Sequence, residues 1–358
     1  MNKVGNYDMN NITIGVIGSH SALDIMDGAK DEGIKTVCIC ERGREMPYLR
    51  FTRLTDELIL LDKFSDILYK ENQEKLLSLN TVMIPHRAFT AYLGYNNIEN
   101  SLEIPIFGNR GLLRAEERGS DRNQYYLLEK AKIRHPRIYS KASEIDGLAV
   151  VKVQEAKRTL ERAFFVASSY DDYTRKANLR IKSGLIREDD LDFAVIEEYI
   201  VGTYFNLNFF YSPITENMEF LGIERRLQTN LHDFITLPAR QQMEIDIELQ
   251  NIEVGHMPAS IRESLLEKVF KIGDAFIKAV KVEYPPGLIG PLSLQSIVTA
   301  GLELVVYDVS LRAPGNPIMA TTSPYAKYYF GHTMGVGRRI AIELKRAIGQ
   351  QTLEQVIT

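Results

Sequence analysis

The chain has little cysteine: two in 358 residues, too few for a disulfide framework. Cys38 and Cys40 both lie in the apolar run Lys35-Thr-Val-Cys-Ile-Cys, so they are expected as core thiols of a reducing compartment rather than zinc ligands. An excess of one charge is also missing. With 43 Lys and Arg against 47 Asp and Glu the net charge is −4, which argues against a broad nucleic-acid or anionic-membrane surface while allowing a local basic pocket. No apolar run approaches the ~18 residues of a membrane span, and Met1-Asn-Lys-Val-Gly-Asn-Tyr-Asp lacks the apolar stretch of a secretion signal. Internal repeats and Pro- or Gly-rich linkers are absent. What remains is ordinary globular composition, 45% hydrophobic and 25% charged. It is long enough for two or three domains and is expected to be soluble and cytoplasmic.

The first third alternates strand-like and helix-like segments. Asn11–Ile17, Thr36–Cys40, Glu57–Leu61 and Thr81–Pro85 read as strands. Helical patterns follow Ser21, a candidate N-cap, and cover Asn72–Leu79. This predicts a parallel doubly wound sheet with ligands beyond the carboxyl ends of its strands. His20 and His86 both fall at such ends. The glycine signal is weak, since Gly15-Val-Ile-Gly18 is not a dinucleotide fingerprint. Arg110, Arg114, Arg118 and Arg122 recur every four residues among acids, which reads as a solvated, ion-paired helix face in preference to a phosphate clamp.

Beyond about residue 125 the pattern changes to longer β-segments: Ala149–Val153, Arg162–Ala167, Phe193–Ile200, Tyr204–Tyr211, Met218–Arg226, Gly287–Ile297 and Leu302–Leu311. Few helices accompany them, near Tyr170–Ser183, Ile261–Val282 and Gly335–Ile348. The domains are therefore expected at 1–125, an N-terminal α/β substrate domain, and 126–358, a nucleotide- and metal-binding domain. Lys152 interrupts an apolar strand, so it either meets an anion or carboxylate or lies on an edge facing water. Val195-Ile-Glu-Glu-Tyr-Ile-Val-Gly202 puts two acids at a strand end before a glycine. Gln295 and Asp308 lie on two segments that could pair, and two such oxygens plus nucleotide phosphates can hold Mg²⁺. A strand lysine, an acidic hinge and paired strand oxygens, in that order, point to the ATP-grasp arrangement.

Longer motifs carry a resemblance over essentially the whole chain. Gly18-Ser-His-Ser-Ala-Leu, Gly28-Ala-Lys-Asp-Glu-Gly, Phe107-Gly-Asn-Arg, Ile196-Glu-Glu-Tyr-Ile-Val-Gly, Phe209-Phe-Tyr-Ser-Pro, Arg262-Glu-Ser-Leu-Leu and Pro286-Gly-Leu-Ile-Gly-Pro resemble the archaeal formate-dependent FAICAR synthetases (the PurP family). The resemblance implies an α/β domain followed by an ATP-grasp domain. It also implies a ligase of purine (IMP) biosynthesis that uses ATP and Mg²⁺ to convert formate to formyl phosphate. The amine of aminoimidazole carboxamide ribonucleotide (AICAR) then takes the formyl group. By position it implies His20, Ala88 and His256 at the substrate, Lys152, Glu197, Glu198, Tyr199, Ile200 and Gln228 at ATP, and Gln295 with Asp308 at the metal.

The departures fall on those positions. Ala88 stands for the family's serine and Arg87 for a glycine. Gln228 stands for a glutamate, His256 for an asparagine and Asp308 for a glutamate. Glu155-Ala-Lys-Arg-Thr-Leu-Glu-Arg162 has no glycine where the family covers the phosphates with a glycine-rich loop, and Ser310-Leu-Arg-Ala-Pro-Gly-Asn-Pro replaces a glycine-rich run. The leading expectation is FAICAR synthesis by a homo-oligomer acting on small molecules. The alternatives are a paralogue with another acid or amine, and a non-catalytic nucleotide-binding homologue.

Overall fold

The computed structural model describes residues 7–153, 164–228, 235–244 and 253–358. Strands β1 (Thr13–Ile17), β2 (Lys35–Glu41), β3 (Glu57–Leu61) and β4 (Thr81–Met83) form a parallel sheet in the order β3-β2-β1-β4. Every residue of β1 is buried, as a strand covered on both faces must be. The chain order reverses between β1 and β4, the place where such sheets bind ligands, and His20 and His86 follow these two strands. The second sheet, β5 (Ile138–Tyr139), β6 (Ala149–Lys152), β7 (Phe164–Ala167) and β8 (Val195–Glu198), runs β5-β8-β6-β7 and is antiparallel. The third comprises β9 (Thr203–Ser212), β10 (Asn217–Gln228), β11 (Glu253–Ala259), β12 (Gly290–Val298) and β13 (Leu304–Ser310), in the antiparallel order β11-β10-β9-β12-β13. The chain is thus an α/β doubly wound unit followed by an α+β unit, as its sequence predicts.

One face of the third sheet is apolar. Leu207, Phe209, Ile223, Leu292, Leu294 and Val309 pack on the Glu263–Glu283 helix through Leu265, Val269, Phe276 and Val280. The end of the chain then returns to the beginning. Val336, Ile340 and Leu344 of the Val336–Gly349 helix share a core with Ile14, Val16, Ile25 and Met26. Where this helix crosses Ala22–Asp31 there is no room for side chains. A Cβ on Gly28 would lie 1.9 Å from the Arg338 backbone nitrogen, and one on Gly337 2.2 Å from the Asp24 carbonyl oxygen.

Two local expectations are corrected. Ser21 precedes the first helix, but its side chain makes no cap bond; the hydroxyl is held by the His20 ring and faces the Ala313 carbonyl oxygen. The four arginines do not share a helix face, because only Arg110 and Arg114 lie within the short 3₁₀ helix Arg110–Glu116. Arg110 is buried and donates to the carbonyl oxygens of Ile98, Leu102, Ile104 and Thr358. Strand β11 and the helices Met319–Thr322 and Pro324–Phe330 were not expected. Their short, Pro- and Tyr-containing segments carry too little periodicity to stand out.

Gly28→Ala tests the helix crossing. In an open helix the change gains about 1 kcal/mol of propensity, whereas forcing a methyl into a closed backbone contact costs typically 1–3 kcal/mol or more. The expected outcome is a melting temperature lowered by a few degrees in calorimetry; a rise would show that the helices can move apart.

Candidate active site

The opposite face of the third sheet is polar, and the register explains why. Glu224, Asn206, Gln295 and Asp308 stand abreast on β10, β9, β12 and β13, and one pleat further Asn208 lies between Gly222, Ser293 and then Ser310. Side chains two residues apart share a face, so a row of polar groups crosses four strands. At one end of the rows the same face turns apolar, where Ile200, Ile297 and Val305 cluster with Tyr307, and Tyr204 meets Tyr307 edge-on at 5.5 Å. At the other end the C-terminal helix closes it. Arg339, fully buried, donates to both Glu219 carboxylate oxygens (2.5 and 3.0 Å) and to Glu343 (2.9 Å), with its guanidinium 4.1 Å from the Phe210 ring centre.

Lys152 stands near the apolar end, on β6, an inner strand of its sheet, so the water-facing edge alternative fails. Glu197 is diagonal to it on β8, and the two side chains form an ion pair. Glu197 also accepts the Tyr125 hydroxyl at 2.5 Å and lies 3.7 Å from Arg118. Arg118 in turn holds Asp308 at 2.9 Å. Burial lowers the Lys152 pKa, and Glu197 holds it back up. Burial raises that of Asp308, but Arg118, Arg226 and Lys152 outweigh it and keep the carboxyl below its usual range. A buried ammonium with a single carboxylate partner is a costly arrangement for stability alone.

At the N-terminal sheet, His20 has φ +51, an uncommon conformation for a residue with a side chain. Its Nδ1 lies 2.5 Å from Ser21 Oγ, and its ring stands parallel to that of His86, with centres 5.8 Å apart. Burial, with Arg312 and His86 nearby, pushes the His20 pKa down to about 2; burial pushes that of His86 to about 3. Both rings are neutral. His256, on β11, is the reverse case. Burial disfavours its charge, but Glu224 at 2.8 Å and Glu253 at 2.8 Å outweigh it and raise the pKa to about 9. Arg226 holds the other oxygen of Glu253 at 2.8 Å, and Glu253 and His256 lie within electrostatic range of His20. Asn206 donates to Glu224 at 2.6 Å. Polar contacts therefore run from the sheet's polar row through Glu224 and His256 to Glu253 and Arg226, whose charges reach the histidine end through space.

The expected residues are distributed unevenly over this array. His20, His256, Lys152, Glu197, Gln295 and Asp308 lie along it, and Ile200 belongs to its apolar end. Glu198 turns the other way, accepting the Arg137 backbone amide at 3.2 Å, and Tyr199 is exposed. Gln228 ends β10 at a bulge. Ala88 is buried in the apolar cluster of Ile17, Met83 and Phe89, beside the site rather than along the array. The Glu155–Arg162 segment lies outside the described residues. Arg118, Tyr125, Asn206, Tyr204, Glu224, Arg226 and Glu253 were not singled out as site residues, except that Arg118 belonged to the arginine series. No spacing in the sequence joins them; sheet register and a helix start do.

For a metal, the Gln295 amide oxygen is buried and lacks a hydrogen-bond partner among the described residues, and Asp308 faces it across the strand pair. These two oxygens suit Mg²⁺, yet the described residues contain no group of three His, Cys, Asp or Glu able to hold an ion.

Comparison with known proteins places this geometry. Family models described as a protein of unknown function (DUF1246) and a domain of unknown function (DUF1297) match residues 14–139 and 172–358. The chain is 41% identical, over 98% of its length and 96% of the relative's, to a Methanocaldococcus jannaschii protein named 5-formaminoimidazole-4-carboxamide-1-(beta)-D-ribofuranosyl 5'-monophosphate synthetase. It is 39% identical to the Methanopyrus kandleri protein of the same name, over 98% and 96% of the two lengths. The crystal structure of an IMP biosynthesis protein, PurP, from Thermococcus kodakaraensis superposes with a TM-score of 0.73 at 28% identity, over 96% of this chain and 100% of that one. An N5-carboxyaminoimidazole ribonucleotide synthetase solved as its ADP complex superposes with a TM-score of 0.61 at 14% identity, over 90% and 77%, a likeness of fold alone. Matched along nearly its whole length, the chain belongs to the formate-dependent FAICAR synthetase family of ATP-grasp ligases.

Proposed function

We propose that the chain formylates AICAR with formate and ATP, releasing ADP and phosphate, as a ligase of purine nucleotide biosynthesis. The observation that carries this is the polar row across the third sheet, with a lysine and an apolar recess toward one end and two neutral histidines near the other. In the reaction, an oxygen of formate attacks the γ-phosphorus and the bond to ADP breaks, giving formyl phosphate. The amine nitrogen then attacks the formyl carbon, loses a proton, and phosphate leaves.

Each end suits one partner. Ile200, Tyr204, Ile297, Val305 and Tyr307 offer apolar surface to a purine base, and Lys152 and Arg118 offer charge to its phosphates. Their present carboxylate partners, Glu197 and Asp308, hold those partly buried cations in place until a nucleotide arrives. Gln295 and Asp308 would hold Mg²⁺ between themselves and the phosphates; bound there, the ion neutralises charge on the transferring phosphoryl group. Phosphoryl transfer depends on such positioning far more than on proton movement. At the other end, a histidine held neutral presents a lone pair to an N–H group. With a pKa near 2, His20 is too weak a base to take a proton efficiently at neutral pH, so it orients the amine. His256 has both ring nitrogens committed to Glu224 and Glu253 and positions these carboxylates. The substrates are small molecules, and among the described residues no helix is long and apolar enough to cross a membrane.

The direct test incubates the protein with ATP, Mg²⁺, formate and AICAR and follows formylated product and ADP together. Neither product, despite bound ATP, would place the chain with nucleotide-binding homologues that have lost the reaction.

Three further outcomes are expected. ATP at one hundred times its Kd should stabilise the protein by about 2.7 kcal/mol, and Lys152→Ala should remove most of the resulting melting shift; an undiminished shift would take Lys152 out of the site. Titration calorimetry should find Mg²⁺ binding weakly without nucleotide and tightly with ADP, and Asp308→Ala should abolish the difference. Tight binding to nucleotide-free protein would contradict the assignment. Finally, the charged form of His256 is the one the fold holds. Its contribution to stability is complete below the ordinary histidine pKa of about 6.5 and is lost as pH rises through about 9. Stability measured by urea unfolding should fall from pH 7 to 9, and His256→Asn should flatten that decline.

A further inference from the structure

Asn316 is 2% exposed, and neither its amide nitrogen nor its amide oxygen has a hydrogen-bond partner among the described residues. Leaving both polar atoms of a buried amide unpaired opposes folding, because each has given up water and gained nothing in return, so the fold alone does not account for an asparagine here. Its main chain is tied down: the Asn316 carbonyl accepts the Met319 amide at 3.1 Å. The loop that carries it is also fixed. Ala313 donates to the Pro85 carbonyl at 3.0 Å and bridges to His86. Gly315 lies so close to His20 that a Cβ there would sit 2.7 Å from Nε2. On the other side, Met319 Sδ lies 3.3 Å from Asn208 Nδ2, one pleat from the Gln295–Asp308 pair. Asn316 is thus bracketed by the histidine end of the site and the polar row of the third sheet.

A primary amide presents one acceptor and a pair of donors, and another primary amide satisfies an acceptor and a donor at once. The substrate assigned above carries one, at carbon 4 of its imidazole ring, next to the amine that reacts. We propose that Asn316 is a specificity-determining residue that pairs with this 4-carboxamide through two hydrogen bonds, holding the neighbouring amine toward His20. The inference rests on the substrate reading given above and adds to it the residue that tells this ribonucleotide from aminoimidazole ribonucleotides lacking the carboxamide.

The test measures binding of two ligands, AICAR and 5-aminoimidazole ribonucleotide, which has hydrogen in place of the carboxamide, to wild type, Asn316→Ala and Asn316→Asp. Removing two neutral hydrogen bonds should weaken AICAR binding to Asn316→Ala by about 30-fold and change binding of the parent ribonucleotide by no more than about threefold. Asn316→Asp keeps the shape but loses the donors, and should show the same selective loss. The free Asn316→Ala protein should melt no lower than wild type, because truncation removes only unpaired buried atoms; a residue kept for folding would cost stability. Equal losses for both ribonucleotides, or a lowered melting temperature with unchanged affinities, would overturn the proposal. If wild type binds AICAR while the variants show no selectivity, this inference alone falls; if wild type binds neither ribonucleotide, the substrate reading falls with it.

Discussion

A β-strand has two faces because its side chains alternate, and in this protein the five-stranded sheet uses the two for opposite purposes. The face carrying Leu207, Phe209, Leu292 and Leu294 closes on the Glu263–Glu283 helix, burying apolar area that stabilises the unit at roughly 25 cal/mol per Å². That burial fixes the register, since a slip of one residue would turn the leucines out and the polar row in. With the register fixed, Asn206, Glu224, Gln295 and Asp308 are held abreast. The polar site is a by-product of apolar packing on the other side of the same strands, and its geometry is as rigid as that packing.

The cations of the site are stable only as members of a network. Lys152 and Arg118 are partly withdrawn from water, and each meets a carboxylate: Lys152 with Glu197, Arg118 with Asp308 and, more distantly, Glu197. Burial and Coulomb attraction oppose each other at Lys152, Arg118 and Asp308. Attraction also wins at His256, flanked by two carboxylates. Where no carboxylate is adjacent, at His20 and His86, burial wins and the rings are neutral. Two kinds of histidine are therefore made from one side chain by what stands beside each.

Closure of the chain on itself brings the halves of the site together. The C-terminal helix packs on the first helix through Gly28 and Gly337, where backbone meets backbone, and it carries Arg339, already paired with Glu343 of its own next turn, down onto Glu219. The loop after β13 is stapled at Ala313 to the loop after β4. These contacts set the distance between the histidines of the N-terminal sheet and the polar row of the third.

The sequence by itself determined the architecture. Alternating strand and helix patterns specified the parallel sheet, the long β-segments marked most strands of the second unit without their order or direction, and the positions of His20 and His86 at strand ends followed from period and turn signals alone. It also singled out Lys152, because a lysine in an apolar strand demands a partner. Only the tertiary structure decided which partner. Glu197 is 45 residues away from Lys152 and adjacent to Glu198, yet strand alternation sends the one acid inward and the other to the Arg137 backbone. Arg118 and Glu253 could not be assigned from spacing, because their neighbours lie 190 residues ahead in Asp308 and across a strand pair in Arg226. Local periodicity states which way a side chain points from its own element; what it meets there depends on how distant elements are packed, and that packing is set by apolar faces that carry no chemistry of their own.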